Sequence, residues 1–200
     1  MYTDLSVYLS PVLARFKESA HGTHHPVDPH AAQGRAKELL DAVKAKLGII
    51  PNSTRSMAVS PPVLEAYVGF IGALGHGVLP ARVREQLALD VGEANRCDYC
   101  VSAHSLLGKR AGLTEQDALD SRRGAPADPK ADALLRFART VLDKRGVIDD
   151  ADITAVREAG FGDAEIAEVV AHVALNIFTN YFNNVAGTTI DFPKAPALSA

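Results

Sequence analysis

The stretch Arg96-Cys97-Asp98-Tyr99-Cys100-Val101-Ser102-Ala103-His104 contains both cysteines of the chain, three positions apart, with a histidine four positions after the second. A Cys-x-x-Cys pair that leads into a helix holds two thiols close enough to close a small disulfide ring. Here Cys97 is expected at the mouth of the helix and Cys100 in its first turn. Unpaired N–H groups and the helix dipole both favour an anion there. Such a setting lowers a thiol pKa below its usual value of ~8.5, and the thiolate is the form that attacks peroxides and disulfides. Cys100 and His104 stand at i and i+4, so they share one helix face within expected hydrogen-bond reach. A histidine so placed can take the thiol proton or return one to a leaving oxygen.

Outward from this helix, predicted to run from Asp98 to Arg110 and stop at Gly112, the chain reads as helical nearly throughout. Upstream, Leu79-Pro80 opens a helix with Val83, Leu87 and Val91 on one face, ending near Asn95-Arg96. Before it, Ser60-Pro61-Pro62 starts another, because proline suits a first helical turn. That helix carries Leu64, Tyr67, Val68, Ile71 and Leu74 and ends at Gly75-His76-Gly77. The first predicted helix spans Arg35 to Leu47, is closed by Gly48, and is followed by a turn at Pro51-Asn52-Ser53. Downstream, Thr114 with Asp117 reads as an N-cap with an acidic first turn. A polar loop at Arg123-Gly124-Ala125-Pro126 then leads to a helix over Asp128 to Lys144. Ala159-Gly160-Phe161-Gly162-Asp163 echoes Ala111-Gly112-Leu113-Thr114-Glu115, a sign of two related helical units. The last and longest helix covers Asp163 to Asn184, and the segment from Gly187 reads as extended. Strand-like alternation is missing, so the fold class is all-α. We divide the chain into an irregular arm at 1–30 with four histidines (His21, His24, His25, His30), one helical domain at 31–192, and a tail at 193–200.

The 200 residues, 47% apolar and 22% charged, suffice for one well-cored domain. A net charge of −3 without a basic stripe argues against nucleic acid. No apolar run reaches the roughly 18 residues of a membrane span. Met1 to Ser10 lacks the layout of a signal peptide, so a cytoplasmic protein is expected. In that compartment a Cys pair is more often catalytic or metal-binding than a structural staple.

A carboxylate is needed to orient the histidine. The helix before the cysteines offers Glu85, Asp90 and Glu93. Glu85, among Val83, Leu87, Ala88 and Leu89, is the relay candidate, whereas Asp90 and Glu93 are expected in solvent. The competing role for Glu85 is a surface ion pair with Arg82 or Arg84.

The run from Leu79 to Leu87, followed by Asn95 to His104, resembles the alkylhydroperoxidase (AhpD-like) branch of the carboxymuconolactone decarboxylase superfamily. That branch carries a Glu, a Cys-x-x-Cys twelve residues on, then three residues and a His. Glu85, Cys97, Cys100 and His104 match each element. The resemblance extends over most of residues 50–192, including Ser60 to Leu64 and Asn180-Tyr181-Phe182-Asn183-Asn184. It implies an AhpD-like all-α bundle, assembled as a homo-oligomer (trimer or hexamer), with no bound cofactor. By the same resemblance Cys100 attacks a hydroperoxide, Cys97 resolves it, Glu85 and His104 relay protons, and an external thiol or dithiol, such as a lipoyl-bearing protein, restores the pair. Where this chain has Tyr99, the family carries a second His.

Two other readings stay open. One is a lactone-decarboxylase-like, carbon-acid enzyme that uses His104 and Glu85 with idle thiols. The other is a zinc-holding helical assembly protein, since Cys₂His can supply three ligands. A c-type haem is excluded, because Val101 follows Cys100. In the last helix His172, Asn176, Asn180 and Asn184 draw a polar stripe along an otherwise apolar helix. Buried amides need partners, so the stripe is expected to meet another helix, a subunit or a pocket. Tyr99, Asn180 and His172 are therefore kept as further pocket or relay candidates.

Overall fold

A computed structural model describes residues 25–198, so His21 and His24 of the arm lie outside the described residues. Among the described residues there are nine α-helices and no strand. They are α1 (Gly34–Leu47), α2 (Asn52–Met57), α3 (Pro61–Leu74), α4 (Ala81–Ala94), α5 (Asp98–Arg110), α6 (Glu115–Arg122), α7 (Pro129–Asp143), α8 (Asp150–Glu158) and α9 (Asp163–Ala186).

Local chemistry sets most of these boundaries. Gly48 ends α1 in the left-handed region at φ 78°, where its N–H reaches Lys44 O. Pro61 and Pro62 occupy the first positions of α3 after Ser60. Thr114 Oγ1 accepts from Asp117 N–H, and the Asp117 carboxylate accepts from Thr114 N–H, which completes a capping box on α6. The two echoing phrases are indeed the same punctuation. Gly112 and Gly160 take φ values of 89° and 91°, which only glycine adopts freely. Leu113 N–H then reaches back to Gly108 O, and Phe161 N–H to Val156 O. Glu165 accepts from Gly162 N–H at the start of α9, as Asp117 does for α6.

Two local expectations are corrected. Pro51-Asn52-Ser53 opens the short helix α2 instead of a simple turn, with Pro51 O accepting from Thr54 N–H and Arg55 N–H. The stretch 150–158, for which no helix was predicted, forms α8. Its signal was a capping box, in which Asp149 accepts from Asp152 N–H and Asp152 accepts from Asp149 N–H.

Helix α4 is the central element. Its Leu87 and Val91 join Leu134, Leu135, Ala138 and Val141 of α7, Val156 of α8, and Val169 and Val173 of α9 in the main core. Full burial of a leucine such as Leu87 contributes about 1.5–3 kcal/mol over leaving it exposed. On the other side of α4, Leu89 packs with Val101 of α5 and with Leu113 and Ala118. A second cluster joins Leu39, Leu40, Met57, Ala58 and Leu64 across α1–α3, with Phe182 of α9 packed against it. The turn from α4 into α5 is tight. Arg96 takes a left-handed φ of 53°, and Cys97 N–H reaches back to Gly92 O at 2.9 Å. This reversal lays α5 against α4, so residues nineteen apart in sequence can meet.

The expectation that Asp90 lies in solvent is overturned, and Glu93 is half-buried. Asp90 is fully buried and ion-paired with Arg139 of α7. Burial pushes its carboxyl pKa up, and Arg139 opposes that rise. Glu93 bonds the buried Arg122 at 2.8 Å, and Arg122 in turn donates to Pro196 O. The sequence misled here because each ion-pair partner sits on a distant helix.

After α9 the chain forms neither helix nor strand through 187–198. It returns across α5. Asp191 accepts from Asn52 N–H at 2.7 Å, and Ala195 N–H donates to Ser102 Oγ at 3.1 Å. No described helix is long and apolar enough to cross a membrane.

Candidate active site

Cys97 caps the N-terminus of α5, where its Sγ accepts from Cys100 N–H at 3.2 Å. Cys100 is the third residue of the helix. The two sulphurs are bonded to one another as a disulfide, with Cα atoms 5.2 Å apart. Both residues are buried, Cys97 1% and Cys100 3% exposed. Ile190, Phe192 and Tyr99 pack against them.

One turn on, His104 Nδ1 lies 2.7 Å from Glu85 Oε2 of α4. An ionised carboxylate only accepts, so Nδ1–H is the donor and Nε2 is left to exchange protons. Arg82 and Arg84 do not pair with Glu85: Arg82 bonds Gly112 O and Asp117, and Arg84 donates to the backbone carbonyls of Leu74, Gly75 and Leu79 at the junction of α3 and α4. The expected Cys100–His104 hydrogen bond is not formed in this disulfide state; the histidine bonds Glu85 instead.

Cys100, His104 and Glu85 all line one cavity of about 160 Å³, whereas Cys97 does not. Its other walls are chiefly apolar, with Met57, Ile71, Leu107 and Phe192 among them. Tyr67 also lines it, and its phenol pKa is pushed up to about 12, first by burial and then by the Glu85 charge. Tyr99 stands where the family pattern has a histidine. Its hydroxyl accepts from Ser53 N–H at 3.2 Å, so it buttresses the start of α2, and its ring meets Phe192 edge-on at 5.6 Å. Burial raises its pKa strongly, although the Ser53 hydrogen bonds oppose this.

The α9 stripe divides. His172, Asn176 and Asn180 are buried, while Asn184 is exposed and donates to Asn95 O. Asn180 Oδ1 accepts from Asn95 Nδ2 at 2.9 Å, which ties α9 to the α4–α5 turn. Asn176 Nδ2 donates to His172 O. His172 Nε2 is enclosed without a partner, and burial lowers its pKa, with the nearby Arg84 charge acting in the same direction. Neither His172 nor Asn180 lines the cavity; Thr179 and Asn183 do. Asn183 was missed because it falls off the four-residue period, at i+3 from Asn180. Its Nδ2 donates to Cys100 Sγ at 3.5 Å.

Among the described residues no group of three or more His, Cys, Asp or Glu is gathered as a metal site.

Residues 61–144 match the model of the carboxymuconolactone decarboxylase family. The structure is similar to an uncharacterised peroxidase-related protein from Ralstonia eutropha JMP134, described as an alkylhydroperoxidase AhpD core. The TM-score is 0.77 at 25% identity, covering 85% of this chain and 92% of that one. A peroxidase-related protein from Silicibacter sp. TM1040 aligns with a TM-score of 0.70 at 24% identity, over 84% of this chain and 95% of that one. The debrominase Bmp8, solved in complex with 2,3,4-tribromopyrrole, shares the fold with a TM-score of 0.72 at 17% identity, over 85% of this chain and 94% of its own. No curated protein sequence matches the chain significantly. Together, the family match over residues 61–144 and the similarity to the AhpD core structure support a resemblance to the AhpD-like branch of the carboxymuconolactone decarboxylase superfamily.

Proposed function

We propose that the protein is a thiol-dependent peroxidase that reduces organic hydroperoxides through a Cys97/Cys100 dithiol–disulfide cycle. The observation that carries this reading is the placement of Cys100, disulfide-bonded to Cys97 at the mouth of α5, in one apolar cavity with the Glu85–His104 pair. A cavity of about 160 Å³ is close to the ~150 Å³ that holds a benzene molecule in an engineered core. It therefore suits a small alkyl or aryl hydroperoxide better than a bulky one.

In the cycle, His104, oriented by Glu85, takes the Cys100 proton. The Cys100 thiolate attacks the distal peroxide oxygen and the O–O bond breaks. Cys100 becomes a sulfenic acid, and the departing alkoxide takes the proton from His104 to leave as an alcohol. The Cys97 thiol then condenses with the sulfenic acid, releasing water and forming the disulfide. An external dithiol, possessing two electrons to give, reduces the disulfide and is itself oxidised. The exposed apolar side chains Phe70 and Ile71 of α3 and Phe178, Tyr181 and Val185 of α9 support assembly with further copies of the chain.

The test is stopped-flow oxidation of the reduced protein by hydrogen peroxide and by tert-butyl hydroperoxide, with thiols counted and intact mass read. Rapid loss of both thiols and of two hydrogens in mass, faster with the organic oxidant and abolished in Cys100→Ser, is the expected result. Thiols that persist for hours overturn the reading.

A further inference from the structure

We propose that Asn183 is a catalytic residue, whose side-chain N–H holds the Cys100 sulphur as a thiolate and keeps it poised in the cavity. The proposal rests on the thiol reading above and adds to it a group from α9, far from the Cys-x-x-Cys helix in sequence.

The geometry is specific. A disulfide sulphur has no proton and can only accept, so Asn183 must present Nδ2 rather than Oδ1 to Cys100 Sγ. This is the sole hydrogen bond to that sulphur among the described residues. Asn183 is 5% exposed, and its Oδ1 is enclosed with no hydrogen-bond partner. An amide oxygen left in that condition opposes folding. Asn180, one turn earlier, has its oxygen bonded to Asn95, and Asn176 bonds a helix carbonyl. Asn183 alone of these amides spends its N–H on sulphur.

Chemistry gives that N–H its use. Cys100 is only 3% exposed, and the apolar Met57, Ala103 and Phe192 line the same cavity. A thiolate in such a place has lost hydration and needs fixed dipoles in return. The helix N-terminus supplies one, and a donor to the charged sulphur supplies a second. The other titratable or charged side chains around the cavity are Tyr67 from α3, Glu85 from α4, and Tyr99, His104 and Arg110 from α5. None of them donates a hydrogen bond to Cys100 Sγ in the disulfide state. Once the disulfide is reduced, Asn183 Nδ2 remains beside the sulphur that must ionise.

The test is a thiol titration of the full-length protein in a Cys97→Ser background, where Cys100 is the only thiol. Thiolate absorbance and the rate of iodoacetamide alkylation are followed against pH. Asn183→Leu, close in shape but without a donor, is expected to move the Cys100 midpoint up by about one unit. Asn183→Asp, which adds a like charge and removes the donor, is expected to move it further, by roughly two units. Thermal midpoints of the Leu variant are expected to stay level or rise, since the orphan oxygen is gone. A Leu variant that titrates like its parent overturns the proposal. So does one that loses stability with an unmoved thiol midpoint, which is the signature of a merely structural amide. Because no peroxide enters this assay, it stands or falls independently of whether hydroperoxides are the substrate.

Discussion

His104 Nδ1 and Glu85 Oε2 lie 2.7 Å apart, each about one-fifth exposed, on two helices joined by a three-residue reversal. The carboxylate holds one ring nitrogen as a donor and turns the other toward proton exchange. In the proposed cycle this leaves Nε2 as the nitrogen that exchanges the proton.

Glu85→Gln keeps the shape and removes the charge. In the proposed cycle it should slow peroxide-driven thiol oxidation roughly 100-fold, the lower end of the range for general acid–base groups. The thermal midpoint should move by no more than a few degrees. Stopped-flow rates at saturating oxidant decide it, and unchanged rates would remove Glu85 from the relay.

Cys97 is sealed by the returning C-terminal segment, with Phe192 packed on the disulfide and edge-on to Tyr99. Phe192→Ala should speed disulfide reduction by dithiothreitol several-fold, because access governs thiol–disulfide exchange. Its stability cost should be about 1–2 kcal/mol, below the ~3–5 kcal/mol of a fully buried Phe→Ala, since Phe192 is only half-buried. Reduction kinetics followed by thiol release provide the check; an unaltered rate would mean that reductant already reaches Cys100 through the cavity.

Asp90 is fully enclosed against Arg139, which keeps 36% of its side chain in solvent. Arg139→Met strands the carboxylate. The expected loss is at least ~2 kcal/mol, less than the ~3–5 kcal/mol of a wholly buried pair because the arginine is partly hydrated. The double variant Asp90→Asn/Arg139→Met should regain part of it. Urea unfolding curves measure both, and a single variant as stable as the parent would show the pair to be dispensable.

His172 has its pKa held below the ordinary 6.5 by burial, with Arg84 and His104 opposing its charge and Glu168 and Glu85 favouring it. The unfolded chain therefore takes up a proton at this residue before the folded one does. Stability from this group is present above about pH 6.5 and is lost as pH falls below it. His172→Leu should flatten the drop in thermal midpoint between pH 7.5 and about pH 5.5. An identical pH profile in both proteins would remove His172 as its source.

The helices were legible from local chemistry, and so was part of the candidate site. Proline starts, glycine stops and acidic caps act within a few residues, so α1, α3 to α7 and α9 are readable directly; α8 carries the same kind of cap, at Asp149 and Asp152. That Cys100 and His104 share one face follows from the helical period alone, because i and i+4 lie together whatever surrounds them. Glu85 was reachable because its own helix is apolar around it and the next helix follows after a short turn.

What lay beyond local reading depends on partners distant in sequence. Asp90, Glu85 and Glu93 are all carboxylates on one helix, and only packing shows that Asp90 meets Arg139 while Glu85 meets His104. Helix α9 is apolar nearly all round, so its period does not say which amide faces the sulphur; that Asn183 does so is a contact across 83 residues. The closure of Cys97 by Phe192 is likewise a property of where the chain returns, since burial belongs to the assembled neighbours and not to the residue that is buried.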